Sequence, residues 1–186
     1  LGADSTPRPV QVATEPSDLL EASDQRTVVI HPGSGGYSLA RRWEPEKFAA
    51  VADALHDQHD MRVVLVGGPH DDTVQVQATM QTEAVDLSGK TTLPQLADII
   101  TQADLYIGAD SGVMHLAAAT GTPMVAIFGP SNHQAWGPWT PNSPSVVLRS
   151  DVKCSPCSYV EHGIGLRDGC AARTCMKLVT PAMVLN

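Results

Sequence analysis

The 186-residue sequence has few aromatic residues, no excess of positive charge and no long apolar run. Aromatic side chains make up only 4% of it, so aliphatic side chains must fill the core. Twelve basic residues against twenty acidic ones give a formal net charge of -8, which argues against nucleic acid as a partner. No apolar run approaches the roughly 18 residues of a transmembrane segment. No basic stretch followed by an apolar one marks a signal peptide.

The remaining composition is typical of one globular domain. The chain is 42% hydrophobic and 17% charged, and it is long enough to form a sizeable core without covalent cross-links. It begins with Leu1 rather than Met, and we therefore expect it to be part of a longer protein or a processed chain.

Short β-branched runs alternate with segments of helical periodicity from residue 27 onward. This alternation predicts an α/β fold, a Rossmann-like parallel sheet with flanking helices. We expect residues 1–26 to be a linker or the start of the domain, 27–149 the α/β domain, and 150–186 a Cys-containing segment that packs on it. Within the domain, residues 129–144 are proline-rich and are predicted to be irregular. The predicted strands are 27–30, 62–66, 84–87, 105–108, 124–128 and 146–148, and the predicted helices begin near residues 45, 71, 93 and 112.

Ligands of open parallel sheets bind at the carboxyl ends of the strands, so the loops there are candidate sites. The first such loop contains Gly33, Ser34 and Gly35 and is followed by Arg41 and Arg42. Glycines let backbone N–H groups approach an anion, and guanidinium groups supply charge and paired donors. The composition favours a phosphate cradle, and the alternative is an ordinary turn with solvated arginines. No dinucleotide fingerprint or Walker A motif is present.

A second loop runs from Asp110 to His115 and joins a predicted strand to a predicted helix. The N–H group of Gly112 would lie at the positive end of that helix, where anions bind. Asp110 and Ser111 would either contact a ligand or cap the helix. His115 follows Ser111 by one helical turn and would either face the same ligand or be an ordinary surface histidine.

The loop after the second predicted strand carries Asp71 and Asp72. An acidic residue at this place can accept a hydrogen bond from a ribose hydroxyl. Helix capping would explain the two carboxylates equally well.

All four cysteines lie in the C-terminal segment, with the spacing C-x2-C-x12-C-x4-C. Cys154, Cys157, Cys170 and Cys175 are compatible with a structural zinc site, in which four thiolates form a tetrahedron. Reduced thiols and disulfides are the alternatives, and intracellular proteins seldom keep disulfides.

Several segments together resemble glycosyltransferase family 9, the ADP-heptose:lipopolysaccharide heptosyltransferases and their relatives. They are HPGSGG followed by RRW, VVLVGGPHD, DLSGKTTL, ADLYIGADSGVMHLAAATGTPMVAIFGPSN and WGPW, of which DSGVMHLAAATGTP is the most specific. The resemblance runs from about residue 27 to the end. It implies the C-terminal, donor-binding half of a two-domain enzyme with the GT-B fold.

The resemblance also implies roles for individual residues. Arg41 stands where many relatives have Lys, which keeps the charge and changes the donor geometry. The implied donor-binding set is Gly33, Ser34, Gly35, Arg41 and Arg42 at the diphosphate, Asp71 or Asp72 near the ribose or adenine, Thr91 and Thr92 beside the base, and Asp110, Ser111, Gly112 and His115 around the phosphates and the sugar.

The implied activity is inverting transfer from an ADP-heptose-like nucleotide sugar to a glycan or lipid-linked acceptor, in lipopolysaccharide or related glycan biosynthesis. No cofactor is required for catalysis. The general base of the family belongs to the N-terminal domain, so we expect no catalytic residue here and donor binding without turnover. The implied location is cytoplasmic, with peripheral association at the inner membrane face in the full-length protein. The alternatives are a non-catalytic nucleotide-binding module and a UDP-sugar-using GT-B or epimerase-like enzyme.

Overall fold

The computed structural model describes residues 11–35, 38–157 and 168–186, and in these residues six strands form one sheet. The strands are β1 (Thr27–His31), β2 (Arg62–Leu65), β3 (Val85–Asp86), β4 (Leu105–Ala109), β5 (Met124–Ile127) and β6 (Ser145–Leu148). Their order is β3-β2-β1-β4-β5-β6, and every pair is parallel. The predicted Rossmann-like parallel sheet is therefore confirmed.

The strand order changes direction at β1, which lies between β2 and β4. The chain runs from β1 outward to β3 and then returns to place β4 on the other side of β1. The connections after β1 and β4 therefore leave in opposite directions, which opens a crevice at the carboxyl ends of these two strands. Residues 32–35 and 110–111 directly follow the two strands and border this crevice.

Helices cover both faces of the sheet. On one face lie the long first helix, the second helix and the C-terminal residues, and on the other face lie the third and fourth helices. The helices are α1 (Pro45–His59), α2 (Thr73–Thr79), α3 (Leu93–Thr101), α4 (Gly112–Thr120), α5 (His133–Trp136), α6 (Thr174–Lys177) and α7 (Pro181–Leu185). None of the helices in the described residues has the length and apolarity needed to cross a membrane.

The first helix is fixed to the C-terminal segment by buried contacts. Trp43, just before α1, and Phe48, in its first turn, are fully buried and meet edge to face, with ring centroids 5.0 Å apart. The indole N–H of Trp43 donates to the carbonyl oxygen of Val179 over 3.0 Å. Met176 and Val179 are themselves fully buried in this core, so the C-terminal segment is part of it.

The end of α2 and the stretch 129–144 differ from the sequence prediction. The second helix ends at Thr79, two residues earlier than predicted, because the Asp53 carboxylate of α1 accepts the backbone N–H groups of Gln81 and Thr82. These bonds hold the chain in a non-helical path. The proline-rich stretch 129–144 was predicted to be wholly irregular, but it contains the four-residue helix α5, which Asn132 caps.

Candidate functional site

The Asp71 carboxylate lies beside the crevice, in a space that two glycines leave open. A Cβ atom on Gly33 would stand 2.1 Å from Cγ of Asp71, and one on Gly67 would stand 2.9 Å from its Oδ2. Gly68 donates its backbone N–H to the same Oδ2 over 2.8 Å. The close approach of this carboxylate therefore requires glycine at position 33, independently of any ligand.

His31 joins Asp71 to Ser111 and so links the loops that follow β2 and β4. Its Nε2 lies 3.2 Å from Oδ2 of Asp71, and its Nδ1 lies 3.2 Å from Oγ of Ser111. Because a carboxylate only accepts hydrogen bonds, we assign the proton to Nε2, and Nδ1 then accepts from the Ser111 hydroxyl. The imidazole is buried at the end of β1, so this link between the two loops is shielded from solvent.

The surroundings of Asp71 keep its carboxylate ionised. Burial by itself raises the pKa of Asp71, but the hydrogen bonds from His31 and Gly68 and the charge of Arg42 act in the opposite direction and outweigh it. The pKa therefore lies below its ordinary value. Its Oδ2 accepts from His31 and Gly68 and its Oδ1 accepts from Arg42, so protein donors occupy three of the roughly four acceptor sites of this carboxylate.

Arg42 binds the loops of the site to one another. Its Nη1 lies 2.8 Å from Oδ1 of Asp72, its Nη2 lies 3.2 Å from Oδ1 of Asp71, and its Nε donates to Oγ of Ser34 over 3.4 Å. Asp72 is the more exposed of the two carboxylates, and among the described residues it forms an ion pair only with this arginine. The Arg42 donors are therefore largely used within the protein.

Arg41 has an unused donor. Its Nη1 pairs with Oδ2 of Asp110 at 3.2 Å, and its Nη2 donates to the carbonyl oxygen of Ser34 over 2.9 Å. Its Nε is buried and has no hydrogen-bond partner among the described residues. Arg41 thus bridges the loops after β1 and β4 and retains a donor for an anion.

The N-terminus of α4 forms the other side of the crevice. Ser111 caps this helix by accepting the N–H of Met114 over 3.2 Å, and Asp110 before it is buried against Arg41. Gly112 is exposed, and a Cβ atom there would meet nothing within 4 Å. The first N–H groups of a helix have no intrahelical partner and favour a negative charge.

His115 is exposed on the outer side of α4, whereas Ser111 and Met114 face inward. Its neighbours include Trp139 and Ala118 around a cavity, and its side chain forms no hydrogen bond or ion pair with the described residues of the crevice. The structure therefore separates His115 from the buried link between His31 and Asp71.

Thr91 and Thr92 follow β3, which lies two strands away from β1 at the same edge of the sheet. Thr92 caps α3 in a capping box, in which its hydroxyl accepts the N–H of Gln95 and the Gln95 side chain accepts the N–H of Thr92. A helix-capping role thus accounts for Thr92 without a ligand.

The four cysteines lie near one another in the described part of the chain. Burial and then the nearby thiols of Cys175, Cys154 and Cys170 raise the pKa of Cys157, and burial likewise raises that of Cys175. Residues 11–35, 38–157 and 168–186 contain no group of three or more His, Cys, Asp or Glu side chains arranged to hold a metal ion. Zinc stays a prediction, which metal analysis of the untagged protein would test.

These elements together form an arrangement suited to an anion. The loop 33–35, the Arg41 guanidinium and the N-terminus of α4 surround the crevice at the change in strand order. Oriented N–H groups and a guanidinium stabilise a bound phosphate and, equally, the charge that develops on a departing one.

Comparison with known proteins identifies the family. Residues 6–163 match the model of glycosyltransferase family 9 (heptosyltransferase). The chain belongs to this family. It is 40% identical over 123 residues to lipopolysaccharide heptosyltransferase 3 of Escherichia coli, covering 63% of this chain and 35% of that protein. It is 28% identical over 174 residues to lipooligosaccharide heptosyltransferase 2 of Campylobacter jejuni, covering 90% of this chain and 51% of that one.

A solved family 9 structure is also similar. The ADP-heptose lipopolysaccharide heptosyltransferase II of E. coli is 27% identical, with a TM-score of 0.67, and the match covers 88% of this chain and 45% of that one. The chain thus spans between about a third and a half of the length of these family 9 relatives. Their fold confirms the GT-B context that the sequence motifs indicated.

Sequence reasoning missed one residue of this candidate site, His31. It did not belong to the predicted donor-binding set, although it contacts both Asp71 and Ser111. The available signal was a polar residue that ends a run of buried β-branched residues and directly precedes the Gly-rich loop. Its two partners are 40 and 80 residues away, which no local pattern reveals.

Proposed function

We propose that this chain is the donor-binding half of an inverting, heptosyltransferase-like glycosyltransferase that uses an ADP-heptose-like nucleotide sugar. The main support is that Arg41 bridges the Gly-rich loop and Asp110 at the change in strand order. Its Nε is buried and has no hydrogen-bond partner among the described residues. A diphosphate between loop 33–35 and the N-terminus of α4 would accept from this guanidinium and from backbone N–H groups.

The proposed reaction is a displacement at the anomeric carbon of the donor. An acceptor hydroxyl oxygen forms the new bond to that carbon while the bond to the diphosphate oxygen breaks, and the electron pair leaves with the diphosphate. Arg41 and the α4 N-terminus would stabilise the resulting charge, so the step needs no cofactor for leaving-group departure. The proton of the acceptor hydroxyl goes to a carboxylate base outside this chain, which we expect in an N-terminal domain.

We further propose the biological setting from the family. Residues 27–149 would bind the donor, with residues 1–26 as a linker and 150–186 packed against the domain. The acceptor would be a glycan or lipid-linked saccharide of lipopolysaccharide or a related glycan, held by the other half of the protein. Such a protein would work in the cytoplasm, at the inner face of the membrane.

Calorimetric titration with ADP, UDP and NAD tests the proposal. We expect ADP to bind in preference to the other two, and Arg41→Ala to weaken ADP binding at least about tenfold, as expected for the loss of a hydrogen bond from a charged donor. Arg62→Ala is the matched control, because Arg62 lies at the opposite end of the sheet and donates to the carbonyl of Glu21. Preference for UDP, or an Arg41→Ala protein that binds ADP unchanged, would contradict the proposal.

A further inference from the structure

A chain of hydrogen bonds joins the loop after β2 to the first turn of α4, and His31 is its middle member. Nε2 of His31 lies 3.2 Å from Oδ2 of Asp71, and its Nδ1 lies 3.2 Å from Oγ of Ser111. The same Oγ accepts the backbone N–H of Met114 over 3.2 Å. The side chains of His31 and Ser111 are both buried. Because both ring nitrogens of His31 are engaged inside the protein, it can influence a ligand only through its partners.

The direction of each bond in this chain follows from the Asp71 carboxylate. A carboxylate only accepts, so the imidazole carries its proton on Nε2, and the lone pair of Nδ1 accepts the hydroxyl proton of Ser111. A hydroxyl group has only one proton to donate. Because His31 accepts that proton, Ser111 presents a lone pair to α4, and an oxygen lone pair is what the capping of a helix N–H group requires. His31 thus selects the acceptor role of this hydroxyl.

The position of His31 also connects the two sides of the crevice. Gly33 of the Gly-rich loop follows it by two residues, so the backbone of His31 leads directly into one side. Its side chain holds Ser111, the residue that caps α4 on the other side. The first N–H groups of a helix have no intrahelical partner and favour an anion, and capping fixes the turn that carries them. One imidazole therefore links the loop and the helix that face each other across the crevice.

We propose that His31 is a positioning residue of the diphosphate site: its Nδ1 accepts the Ser111 proton, so that Ser111 caps α4 and holds the first N–H groups of this helix toward the anion. The inference rests on the proposed function, because it requires an anion between loop 33–35 and α4. His31 itself does not contact the ligand. The atom that matters is Nδ1, whereas Nε2 and its bond to Asp71 serve to keep the proton off Nδ1.

Two amide substitutions at position 31 separate the roles of the two ring nitrogens. The Asn side chain places a carbonyl oxygen where Nδ1 lies and can still accept from Ser111, whereas the Gln side chain places an N–H group where Nε2 lies and can still donate to Asp71. Each variant loses one of the two hydrogen bonds, so both should have a lower thermal midpoint. In calorimetric titration of the full chain, His31→Gln should bind ADP and inorganic pyrophosphate about three- to tenfold more weakly than the wild type, and His31→Asn should keep most of the affinity.

A double-mutant cycle with Ser111→Ala tests whether His31 acts through this hydroxyl. Ser111→Ala alone should weaken ADP binding by about the same factor as His31→Gln, and the double variant should be little weaker than either single one. Thr122→Val is the matched control, because it removes a buried hydroxyl that donates to the carbonyl oxygen of Ile100 over 2.7 Å, beyond the other end of α4. It should be less stable than the wild type and bind ADP equally well. Additive losses in the cycle, or affinities that follow stability across all these variants, would overturn the proposal.

NMR of the ligand-free chain separates this inference from the proposed function. The ring nitrogen shifts of His31 should show a proton on Nε2 and none on Nδ1, and the Met114 amide should exchange faster in His31→Gln and Ser111→Ala than in His31→Asn. A proton on Nδ1, or equal Met114 exchange in the Asn and Gln variants, would overturn the role of His31 whether or not ADP binds. Wild-type protein that binds neither ADP nor pyrophosphate would contradict the proposed function, and unequal Met114 exchange would then still support the control of the α4 cap by His31.

Discussion

At the scale of single residues, the Asp71 carboxylate ties together the three loops that border the crevice. It accepts from His31 after β1 and from Gly68 after β2, and through His31 it reaches Ser111 after β4. Arg42 adds an ion pair at 3.2 Å. The shape of the proposed diphosphate site therefore depends on one buried charge that we do not expect to touch the ligand.

Replacing this charge gives a prediction with a pH signature. Asp71→Asn should cost about 1–3 kcal/mol at pH 7, because three donors lose an ionised acceptor. The folded-state pKa of Asp71 is lowered, so its stabilisation is fully present above the unfolded-state pKa of about 3.9 and is lost as the pH falls through the folded-state pKa. In urea unfolding between pH 3 and 8, the difference from the wild type should be constant above about pH 5 and shrink below pH 4.

Asp57→Asn is the control for this experiment, because Asp57 is exposed and, among the described residues, pairs only with its neighbour His56. It should change the free energy of unfolding little at any of these pH values. A difference between Asp71→Asn and the wild type that stays the same down to pH 3 would contradict the assignment.

The glycine beside Asp71 gives a second prediction at this scale. In Gly33→Ala the new methyl group would collide with the carboxyl group, which must move and break its bonds to His31 and Gly68. We expect a loss of about 1–3 kcal/mol, typical of overpacking, in chemical unfolding. Gly112→Ala should be within about 0.5 kcal/mol of the wild type, because its site is open. Equal stability of the two variants would be inconsistent with the geometry.

At the scale of the elements, the sequence predicts the strands and helices whose bounds are set by residues within the element itself. Buried β-branched runs indicated β1 and β2, Pro45 marked the start of α1, and Thr92 with Gln95 is the capping box that begins α3. The end of α2 is not local, because it depends on the Asp53 carboxylate of another helix. The same holds for α6 and α7, whose helical turns are short and stabilised by contacts with α1.

The attachment of α6 to α1 can be tested at Lys47. Its ammonium group donates to the carbonyl oxygens of Lys177 and Val179 over 2.7 and 2.9 Å, at the end of α6. Lys47→Met should lower the hydrogen-exchange protection of residues 174–185 by an amount equivalent to about 1–3 kcal/mol, and leave β1 and β4 unchanged. Lys177→Met, at an exposed position, should change neither region. Loss of protection throughout the sheet, or none at all, would contradict a local role.

At the scale of the whole molecule, the sequence motifs predict the fold and the family more completely than they predict the candidate site. Strand and helix periodicity predicted the parallel sheet, and its change in strand order places the Gly-rich loop beside Asp110. The hydrogen bonds of Asp71 to other loops of the protein and the cavity at Trp139 both arise from contacts between distant segments. The contribution of Met176 and Val179 to the core has the same origin.

Because Met176 and Val179 belong to the core, the stability of the molecule depends on its C-terminal residues. A chain ending at residue 149 would lose Met176 and Val179 from the core and leave the Trp43 indole N–H without its acceptor. Each buried side chain of this kind contributes roughly 1.5–3 kcal/mol, and whole domains have only about 5–15 kcal/mol of stability. We expect chain 1–149 to show a far lower thermal midpoint by circular dichroism, whereas chain 1–180, which lacks only α7 with no fully buried residue, should retain a cooperative transition. If chain 1–149 melts like the full chain, residues 27–149 form an independent domain and the C-terminal segment is only an attachment.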